Sequence, residues 1–404
     1  MIKKFLSILF LLVLVGCSGI NKRDNNIRKN KKPEFRGVWI ASVVNINWPK
    51  TVGIGKDVEK AQKQEFIRLL DEAVKMNMNA VVVQIRPSSD TFYPSSFEPW
   101  SKYLIGEQGG VPGWDPLQFM IEETKKRNLQ FHAWFNPYRI TMKKEDKLVS
   151  THPALLNPEW TFEYGNRLYY NPGIPEAMNY NIDSIMEVVK KYDIDGVHMD
   201  DYFYPYPVGG EKLPDWRTYL KYGKKFPIAA DWRRNNVDNF IKTLSNRIKK
   251  EKPNISFGIS PFGVWRNYSR DKSGSKTRAG ITNYDTLYAN TRKWIDKGWI
   301  DYIVPQIYWN QGFKAAEYNT LVDWWAREVK GTGVKLYIGQ AAYKIGAKGW
   351  GNPKELINQV KYNRSVEGVG GSIYFNIDSL INNPMGIKKN IKKILYKKKV
   401  EIPN

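Results

Sequence analysis

The chain has 404 residues, of which 42% are hydrophobic and 14% aromatic, and its formal net charge at pH 7 is +23. This length and composition allow a large buried core, which excludes an intrinsically disordered protein. The positive charge comes mostly from dispersed lysines, and no zinc-finger spacing, RNP motif or phosphate-binding glycine loop occurs, so we expect no nucleic-acid partner.

The first segment in chain order has the features of a bacterial export signal. Residues 1–17, MIKKFLSILFLLVLVGC, combine two lysines, an apolar run from Phe5 to Val15 and a small residue before the only cysteine. The run is too short to span a bilayer, and the segment resembles a lipoprotein signal peptide. We predict that residues 1–16 are removed and that residues 17–33 form a flexible tether. Cys17 would carry the lipid, palmitate included, and anchor the protein to a membrane of the cell envelope, the outer membrane in a Gram-negative host.

After residue 33, eight short segments rich in Val, Ile, Phe and Tyr alternate with longer segments of helical periodicity. Such alternation predicts a parallel α/β fold, and eight repeats indicate a (β/α)8 TIM barrel with long βα loops. A doubly wound open sheet is the alternative, but its cofactor fingerprint is missing. We place the barrel domain at 34–396 and a basic tail at 397–404. The predicted strands are 34–42, 80–87, 130–137, 196–202, 256–263, 301–309, 335–343 and 370–378; the predicted helices are 57–77, 115–128, 175–192, 232–250, 281–297, 314–330, 353–363 and one after Met385.

Polar side chains recur near the C-terminal ends of the predicted strands. Because side chains alternate between the two faces of a strand, the inward set can be followed to the last residue. Active sites of this fold lie at those ends, and buried polar groups without partners are costly, so we expect a functional site there. The expected inward residues are Gln84, Arg86, His132, Trp134, Asn136, His198, Asp200, Gln306, Tyr308, Gln340, Tyr374, Asn376 and Asp378.

The end of the fourth predicted strand places two carboxylates side by side. Residues 195–205, DGVHMDDYFYP, contain Asp200, which shares the inward face of His198, and Asp201, which begins the loop. Close carboxylates raise the pKa of one of them, as a general acid requires. We predict that Asp200 and Asp201 are catalytic; a capped turn is the structural alternative. The following rings and several tryptophans predict an aromatic rim for sugar rings. These tryptophans are Trp48, Trp100, Trp114, Trp265, Trp309 and Trp350.

Five stretches together resemble the glycosyl-hydrolase-like family 10. They are FRGVWIASVVNINWP (35–49), VVQIRPSSDTFYPSSFEPWS (82–101), AWFNPYR (133–139), DGVHMDDYFYP and VPQIYW (304–309). The resemblance covers nearly the whole chain after residue 33. It implies a TIM-barrel lipoprotein that hydrolyses glycosidic bonds of cell-wall glycan, with peptide-free (denuded) peptidoglycan strands as the expected substrate. It also implies functional roles for Asp195, Asp200 and Asp201, with substrate-binding residues around them: Arg86, Asn136, Tyr202, Gln306, Tyr308, Trp309 and Asn376.

The sequence leaves two mechanisms open. The segment from Asp195 to Tyr202 resembles the DGxDxDxE motif of chitinase-like barrels, but Tyr202 stands where those proteins have a catalytic glutamate. One possibility is substrate-assisted attack by the 2-acetamido group of the sugar, with one aspartate orienting it and the other donating a proton. The other is a two-carboxylate mechanism that uses a loop residue such as Asp90, Glu98 or Asp378.

Two other functional classes are compatible with these residues. A non-catalytic glycan-binding lipoprotein on a TIM-barrel scaffold needs the same aromatic and polar surface without a proton donor. A metal-dependent hydrolase would use Asp200 and Asp201 as ligands. The histidines His132, His152 and His198 form no HxH or HExxH spacing, so we predict no metal site, and we expect no cofactor.

Overall fold

Eight parallel strands close into a barrel in the computed structural model, which describes residues 32–403. The first strand pairs with the second on one side and with the last on the other, so the sheet has no free edge. The predicted (β/α)8 TIM barrel is confirmed. The barrel strands are β1 (Phe35–Ile40), β2 (Ala80–Arg86), β3 (Gln130–Phe135), β6 (Gly196–Met199), β7 (Ser256–Ile259), β8 (Tyr302–Ile303), β9 (Lys335–Gln340) and β10 (Val369–Tyr374), and a hairpin, β4 (Thr161–Tyr164) and β5 (Arg167–Tyr170), lies outside the barrel.

The described residues begin at Lys32, near the end of the predicted tether. The predicted signal peptide, Cys17 and the tether up to residue 31 lie outside them. Within residues 32–403, no helix combines the length and the apolar character needed to cross a membrane.

Helices join successive strands and cover the outside of the barrel. The first long helix buries Phe66, Leu69, Leu70 and Ala73, whose spacing of three and four residues puts them on one face. Each predicted helix overlaps an observed one, although only 291–296 of the predicted 281–297 is helical. The helices are α1 (Lys56–Lys75), α2 (Lys102–Ile105), α3 (Pro116–Lys126), α4 (Pro153–Leu156), α5 (Pro175–Lys191), α6 (Trp216–Tyr222), α7 (Ala229–Glu251), α8 (Thr291–Asp296), α9 (Tyr318–Val329), α10 (Glu355–Ser365), α11 (Ile377–Ile381) and α12 (Ile387–Asn390).

Besides the one-turn helices α2 and α4, two elements of the βα loops were not predicted from the sequence. The hairpin β4–β5 lies in the loop after β3, and the short helix α6 lies in the loop after β6. The hairpin turn consists of Gly165 and Asn166 with φ of 56° and 59°, which matches the two positive φ angles of a type I′ turn. A Gly-Asn pair between aromatic residues was therefore the available signal. Both elements lie on the side of the barrel where the strands end.

The barrel interior is filled by large side chains that face glycines on neighbouring strands. Near the N-terminal ends of the strands, Phe35 stacks on Tyr337 with ring centroids 4.3 Å apart. Across from them Tyr302 occupies the space beside Gly258, where an added Cβ would lie 2.0 Å from the tyrosine Cζ. Any larger residue at 258 would clash with this ring, so the two positions are matched in volume.

A chain of hydrogen bonds links two buried histidines inside the barrel. The Tyr302 hydroxyl lies 2.9 Å from His132 Nδ1 and 3.0 Å from His198 Nδ1, and Trp39 Nε1 donates to His198 Nε2 at 3.3 Å. Burial lowers the pKa of His132 to about 3 and that of His198 well below its usual value, so both rings are neutral. The two histidines of β3 and β6 thus share the Tyr302 hydroxyl of β8 as a hydrogen-bond partner.

The predicted inward face is correct for β3 and β6 and wrong for part of three other strands. Gln340 bonds to Tyr318 of α9, and Tyr374 bonds to Tyr396, so both face the helices. Their inward neighbours are Gly339 and Phe375, because the alternation of β9 and β10 runs one residue out of step with the prediction. Arg86 also faces outward, because a register shift between Gln84 and Arg86 moves it to the other face.

The C-terminal segment packs against the N-terminal end of the barrel. Glu34 N donates to Glu401 O at 3.0 Å, and Arg36 donates from its guanidinium to Lys398 O at 2.8 Å. Tyr396 is fully buried, with the Arg36 guanidinium 4.1 Å above its ring centroid. The two ends of the described chain are therefore in contact, on the side of the barrel opposite the strand ends.

Candidate active site

A cleft with about 690 Å³ of empty space lies at the C-terminal end of the barrel. Its floor consists of polar side chains near the C-terminal ends of four strands. These are Gln84 of β2, Asp200 and Asp201 after β6, Ser260 after β7 and Gln306 after β8. Its walls include hydrophobic and aromatic side chains. These are Trp39, Ala41, Val43, Ile46, Trp134, Tyr202, Tyr308, Tyr343 and Phe375. A mainly apolar cleft with a few converging polar groups is typical of a ligand site.

The two adjacent aspartates both line this cleft but have different partners. Asp200 accepts a hydrogen bond from Asn136 Nδ2 at 3.3 Å. Asp201 accepts a short hydrogen bond from the hydroxyl of Tyr206, and Gln306 also lowers its pKa by hydrogen bonding. Each aspartate is only 6% exposed. The two adjacent carboxylates therefore have separate hydrogen-bond partners.

The environment raises the pKa of both aspartates. Burial is the largest cause for Asp200, followed by the neighbouring charge of Asp201, and its pKa rises to about 7. Burial also raises the pKa of Asp201, to about 6, although the Tyr206 and Gln306 hydrogen bonds oppose this. Near pH 6 to 7 the pair therefore holds about one proton, which is the state needed by a general acid beside an ionised carboxylate.

Arg139 supports the wall beside Asp200. Its guanidinium donates to the Tyr202 hydroxyl at 2.7 Å and to Pro87 O at 3.0 Å, while Asn136 Nδ2 donates to the same hydroxyl at 2.8 Å. Tyr202 thus occupies the position of the chitinase glutamate as a hydroxyl held by two donors, and burial raises its pKa further above the usual value. It is a neutral wall residue and cannot replace the glutamate as a proton donor near neutral pH.

Two polar groups of the cleft have no partner within the described residues. Gln84 Nε2 and Trp134 Nε1 are buried, and neither donates to any protein atom of residues 32–403. Gln84 Oε1, in contrast, accepts from the backbone of Ser42 and Val43. The amide is therefore fixed by its oxygen with its donor unused. A buried donor without a partner is costly, so a ligand that accepts from these groups gains the missing hydrogen bonds.

The aromatic rim differs from the predicted one. Trp48, Trp265 and Trp350 are at most 4% exposed and pack in the protein interior. Phe203 and Tyr204 are also buried under the loops. The cleft instead uses Tyr308, Tyr343 and Phe375, whose ring centroids lie 5.8 to 6.4 Å apart. Strand-end tyrosines rather than loop tryptophans thus provide its stacking surface.

Of the predicted substrate-binding residues, four lie in or beside the cleft and four do not. Tyr202, Gln306 and Tyr308 line it, and Asn136 contacts Asp200 from behind. The other four contact protein atoms elsewhere. Asp195 binds Phe131 N at the opposite end of β6, Arg86 is turned outward, Trp309 packs on Phe262, and Asn376 caps α11 by accepting from Ser379 N.

The loop carboxylates considered for a two-carboxylate mechanism also lie outside the cleft lining. Glu98 is completely buried in a bidentate ion pair with Arg86, which lowers its pKa. Asp90 is buried in the same loop, and burial raises its pKa to about 7. Asp378 on α11 lies 3.4 Å from Lys50. Asp200 and Asp201 are therefore the only carboxylates among the described residues that line the cleft.

Sequence reasoning did not identify several residues of the site. Arg139 was present in the quoted motif AWFNPYR, and a charged side chain just after a strand end could have marked it, while Tyr206 was predicted only as a ring of the aromatic rim and not as a partner of Asp201. Ser260, Tyr343 and Phe375 follow strands whose inward face was ambiguous. Within residues 32–403, no three His, Cys, Asp or Glu side chains are close enough together to hold a metal ion.

Comparisons with known proteins identify the family and the fold. The profile described as Glycosyl hydrolase-like 10 matches residues 34–354. "Glycosyl hydrolase YngK" of Bacillus subtilis is 56% identical over 376 residues, covering 92% of this chain and 73% of the relative. "Glycosyl hydrolase DigH" of Escherichia coli K12 is 42% identical, covering 87% and 84%. Among solved structures, the PgaB (BpsB) glycoside hydrolase domain from Bordetella bronchiseptica superposes with a TM-score of 0.57 at 13% identity, covering 91% of this chain and all of that domain.

Proposed function

Since the chain belongs to the glycosyl hydrolase-like 10 family, we propose that it is a glycoside hydrolase that cleaves peptide-free glycan strands of peptidoglycan. The observation that carries the proposal is the pair Asp200 and Asp201, with pKa values of about 7 and 6, on the floor of an aromatic cleft. A purely glycan-binding protein does not need a proton donor there, and maintaining two buried carboxylates costs stability.

The lining of the cleft supports a neutral, peptide-free substrate. Among the residues that the structure describes, no lysine or arginine lines it, so the carboxylates of a stem peptide would find no counter-charge in the lining. The rings of Tyr308, Tyr343 and Phe375 offer apolar faces to sugar rings, and Gln84 Nε2 and Trp134 Nε1 are free to donate to sugar or acetamido oxygens. Peptide-bearing strands would also collide with the walls.

We propose the substrate-assisted mechanism, because within residues 32–403 no carboxylate besides this pair lines the cleft. Asp200 donates its proton to the glycosidic oxygen while the carbonyl oxygen of the 2-acetamido group attacks C1 and the bond to the leaving sugar breaks. Ionised Asp201 orients the acetamido N–H and stabilises the positive charge that develops on that group. Water then attacks C1, the bond between C1 and the acetamido oxygen breaks so that the 2-acetamido group is restored, and Asp200, now ionised, takes the proton from that water.

Product analysis tests both parts of this proposal. Mass spectrometry of peptidoglycan digests should show glycan fragments after amidase treatment and little release from intact sacculi. Strands with the acetyl groups removed should not be cleaved, because the attacking oxygen is absent. Equal digestion of intact and amidase-treated material would contradict the substrate, and cleavage of deacetylated strands would contradict the mechanism.

Replacing Asp200 by Asn should separate activity from stability. We expect the rate to fall by about 10² to 10⁴, as for loss of a general acid or of charge stabilisation. The raised pKa means that the folded state keeps a proton that the unfolded state loses between about pH 4 and 7, so wild-type stability falls as pH rises through this window. The melting temperature of Asp200→Asn relative to wild type should therefore increase from pH 5 to pH 8. Near-wild-type cleavage by this variant would show that Asp200 is not catalytic.

We also propose that the mature protein is anchored in the cell envelope through lipidated Cys17. The support is the arrangement of residues 1–17 and the position of Lys32 at the barrel end opposite the cleft. A Cys17→Ala protein should lose labelling by palmitate and membrane association in cell fractions. Retention of both would contradict the anchor.

A further inference from the structure

A second cavity, with about 1030 Å³ of empty space, lies on the same side of the barrel as the catalytic cleft. Its lining comes from loops that follow three strands: Tyr164 after β3, Pro205, Pro207 and Trp216 after β6, and Tyr288 after β7. Because all these loops extend from the C-terminal ends of strands, the cavity opens on the face that carries the aspartates.

The segment around Tyr206 contacts both this cavity and the catalytic cleft. The Tyr206 hydroxyl binds Asp201, while its neighbours Pro205 and Pro207 line the second cavity. Pro205 is four residues from Asp201, so their Cα atoms are at most ~14 Å apart. A polymer bound in the cleft could therefore continue across Tyr206 into the second cavity.

The second cavity contains an exposed ring on a rigid base. Trp216 is 60% exposed, although tryptophan is usually buried in large part. Its ring lies 5.3 Å from that of Tyr219, which in turn lies 5.5 Å from the buried ring of Trp232. This packing holds the tryptophan in place from one side and leaves its other surface available. A fixed, exposed indole loses little conformational entropy when it binds a ligand.

The charge in the cavity is neutralised internally. Arg233 donates to both oxygens of buried Asp215 at 2.8 and 2.6 Å, and to the Tyr288 hydroxyl at 2.9 Å. Its guanidinium is therefore committed to protein groups and offers little net charge to an anionic ligand. At the rim Glu211 and Lys212 balance each other in sign. Such a surface fits a neutral, hydroxyl-rich ligand better than a phosphate or a peptide carboxylate.

We propose that this cavity is a distal subsite for the glycan strand, in which the face of a sugar ring packs on Trp216 several sugars away from the cleaved bond. The inference rests on the proposed function for the identity of the polymer. It adds that the protein is selective for long strands, because a short oligosaccharide occupies only the catalytic cleft and does not reach the second cavity. Binding energy at the subsite lowers KM for long strands and leaves the chemical step unchanged.

The test compares Trp216→Ala with Leu220→Ala on long peptide-free strands and on the shortest oligosaccharide that wild type cleaves. Leu220 is 52% exposed on the same helix α6 but does not line the cavity, so it is the matched control. We expect Trp216→Ala to raise KM for long strands about 5- to 30-fold with kcat within about twofold, and to leave the short substrate unaffected. Leu220→Ala should match wild type on both substrates.

An unchanged KM of Trp216→Ala on long strands, or an equal loss on both lengths, would overturn the subsite. A second measurement separates this result from failure of the proposed function. The affinity for long strands is measured by calorimetry for Asp200→Asn with and without Trp216→Ala. Cleavage by wild type with unweakened binding by the tryptophan variant refutes the subsite alone. Weakened binding without cleavage by wild type supports the subsite and refutes hydrolysis.

Discussion

At the scale of single residues, Asp200 and Asp201 show how one strand end can give two neighbours different proton affinities. Asp200 is the last inward residue after β6, where burial dominates and Asn136 is its hydrogen-bond donor. Asp201 begins the loop and receives the Tyr206 hydroxyl, which stabilises its charged form. The two neighbours thus have different hydrogen-bond partners, and Asp201 has the lower pKa of the two and ionises first as the pH rises.

The pH profile should show this order. We expect kcat/KM to fall below about pH 6, where Asp201 becomes protonated, and above about pH 7, where Asp200 loses its proton. Tyr206→Phe removes a hydrogen bond that lowers the pKa of Asp201, so the acid limb should move to higher pH. Rate measurements from pH 4 to 9 check this.

A matched control for that variant is Tyr362→Phe. Tyr362 donates to Asp323 at 2.8 Å on the outer helices, far from the cleft, so its loss should leave the profile unchanged. An acid limb that stays in place in Tyr206→Phe would mean that Asp201 does not govern it.

At the scale of elements, the loop after β2 is fixed by a buried ion pair rather than by secondary structure. Arg86 binds Glu98 through two nitrogens, and the carboxylate also accepts from Ser89, Tyr180 and Ser184. Both partners are fully buried. The network ties this loop to α5 and keeps Arg86 away from the cleft, so its role is structural.

Glu98→Gln should therefore destabilise the fold strongly. It leaves the Arg86 charge buried without its partner, which typically costs about 3–5 kcal/mol in the free energy of unfolding. Urea unfolding followed by circular dichroism measures this loss. The control is Asp193→Asn, which breaks the ion pair between Asp193 and Lys125. The Asp193 carboxylate is 91% exposed, so this change should lower the free energy of unfolding by no more than about 1 kcal/mol. Similar losses in both variants would contradict a buried structural pair.

The number and positions of the strands could be predicted from the sequence. Which residues of each strand point into the barrel could be predicted for some strands but not for all. Runs such as AVVVQIR mark a buried parallel strand whatever its register. The register shift before Arg86 and the alternation of β9 and β10 depend on contacts with neighbouring strands. Asp200 was identified because it is one of two adjacent carboxylates at the end of a strand and shares the face of His198. Asn376 was misplaced because capping of α11, a local interaction, determines its orientation.

At the scale of the whole molecule, the last residues of the chain complete the barrel. Tyr396 packs under the guanidinium groups of Arg36 and Arg364, and its hydroxyl lies 2.7 Å from that of Tyr374. The backbone oxygen of Tyr396 accepts from Asn77 at 2.6 Å. These contacts join the first two strands, the last strand and the C-terminal segment, so the tail belongs to the folded core as far as this ring.

Tyr396→Ala should be costly for the same reason. Removing a fully buried aromatic ring typically costs about 3–5 kcal/mol in the free energy of unfolding. Tyr396→Phe keeps the ring and loses one hydrogen bond, so we expect about 1 kcal/mol. Denaturant unfolding compares the two variants with wild type. Equal stability of the two would mean that the ring contributes nothing beyond its hydroxyl.

The hydrogen bond from Arg36 to Lys398 joins residues that are 362 positions apart. At synthesis rates of about 5–20 residues per second, roughly 20 to 70 s pass between the emergence of these two residues from a ribosome. Until β10 (Val369–Tyr374) is available, β1 can pair with β2 but not with β10, so the incomplete sheet keeps two open edges of the kind that promote aggregation. Closure must therefore follow release of nearly the whole chain, and any premature stop before β10 leaves a product with no closed barrel to fold into.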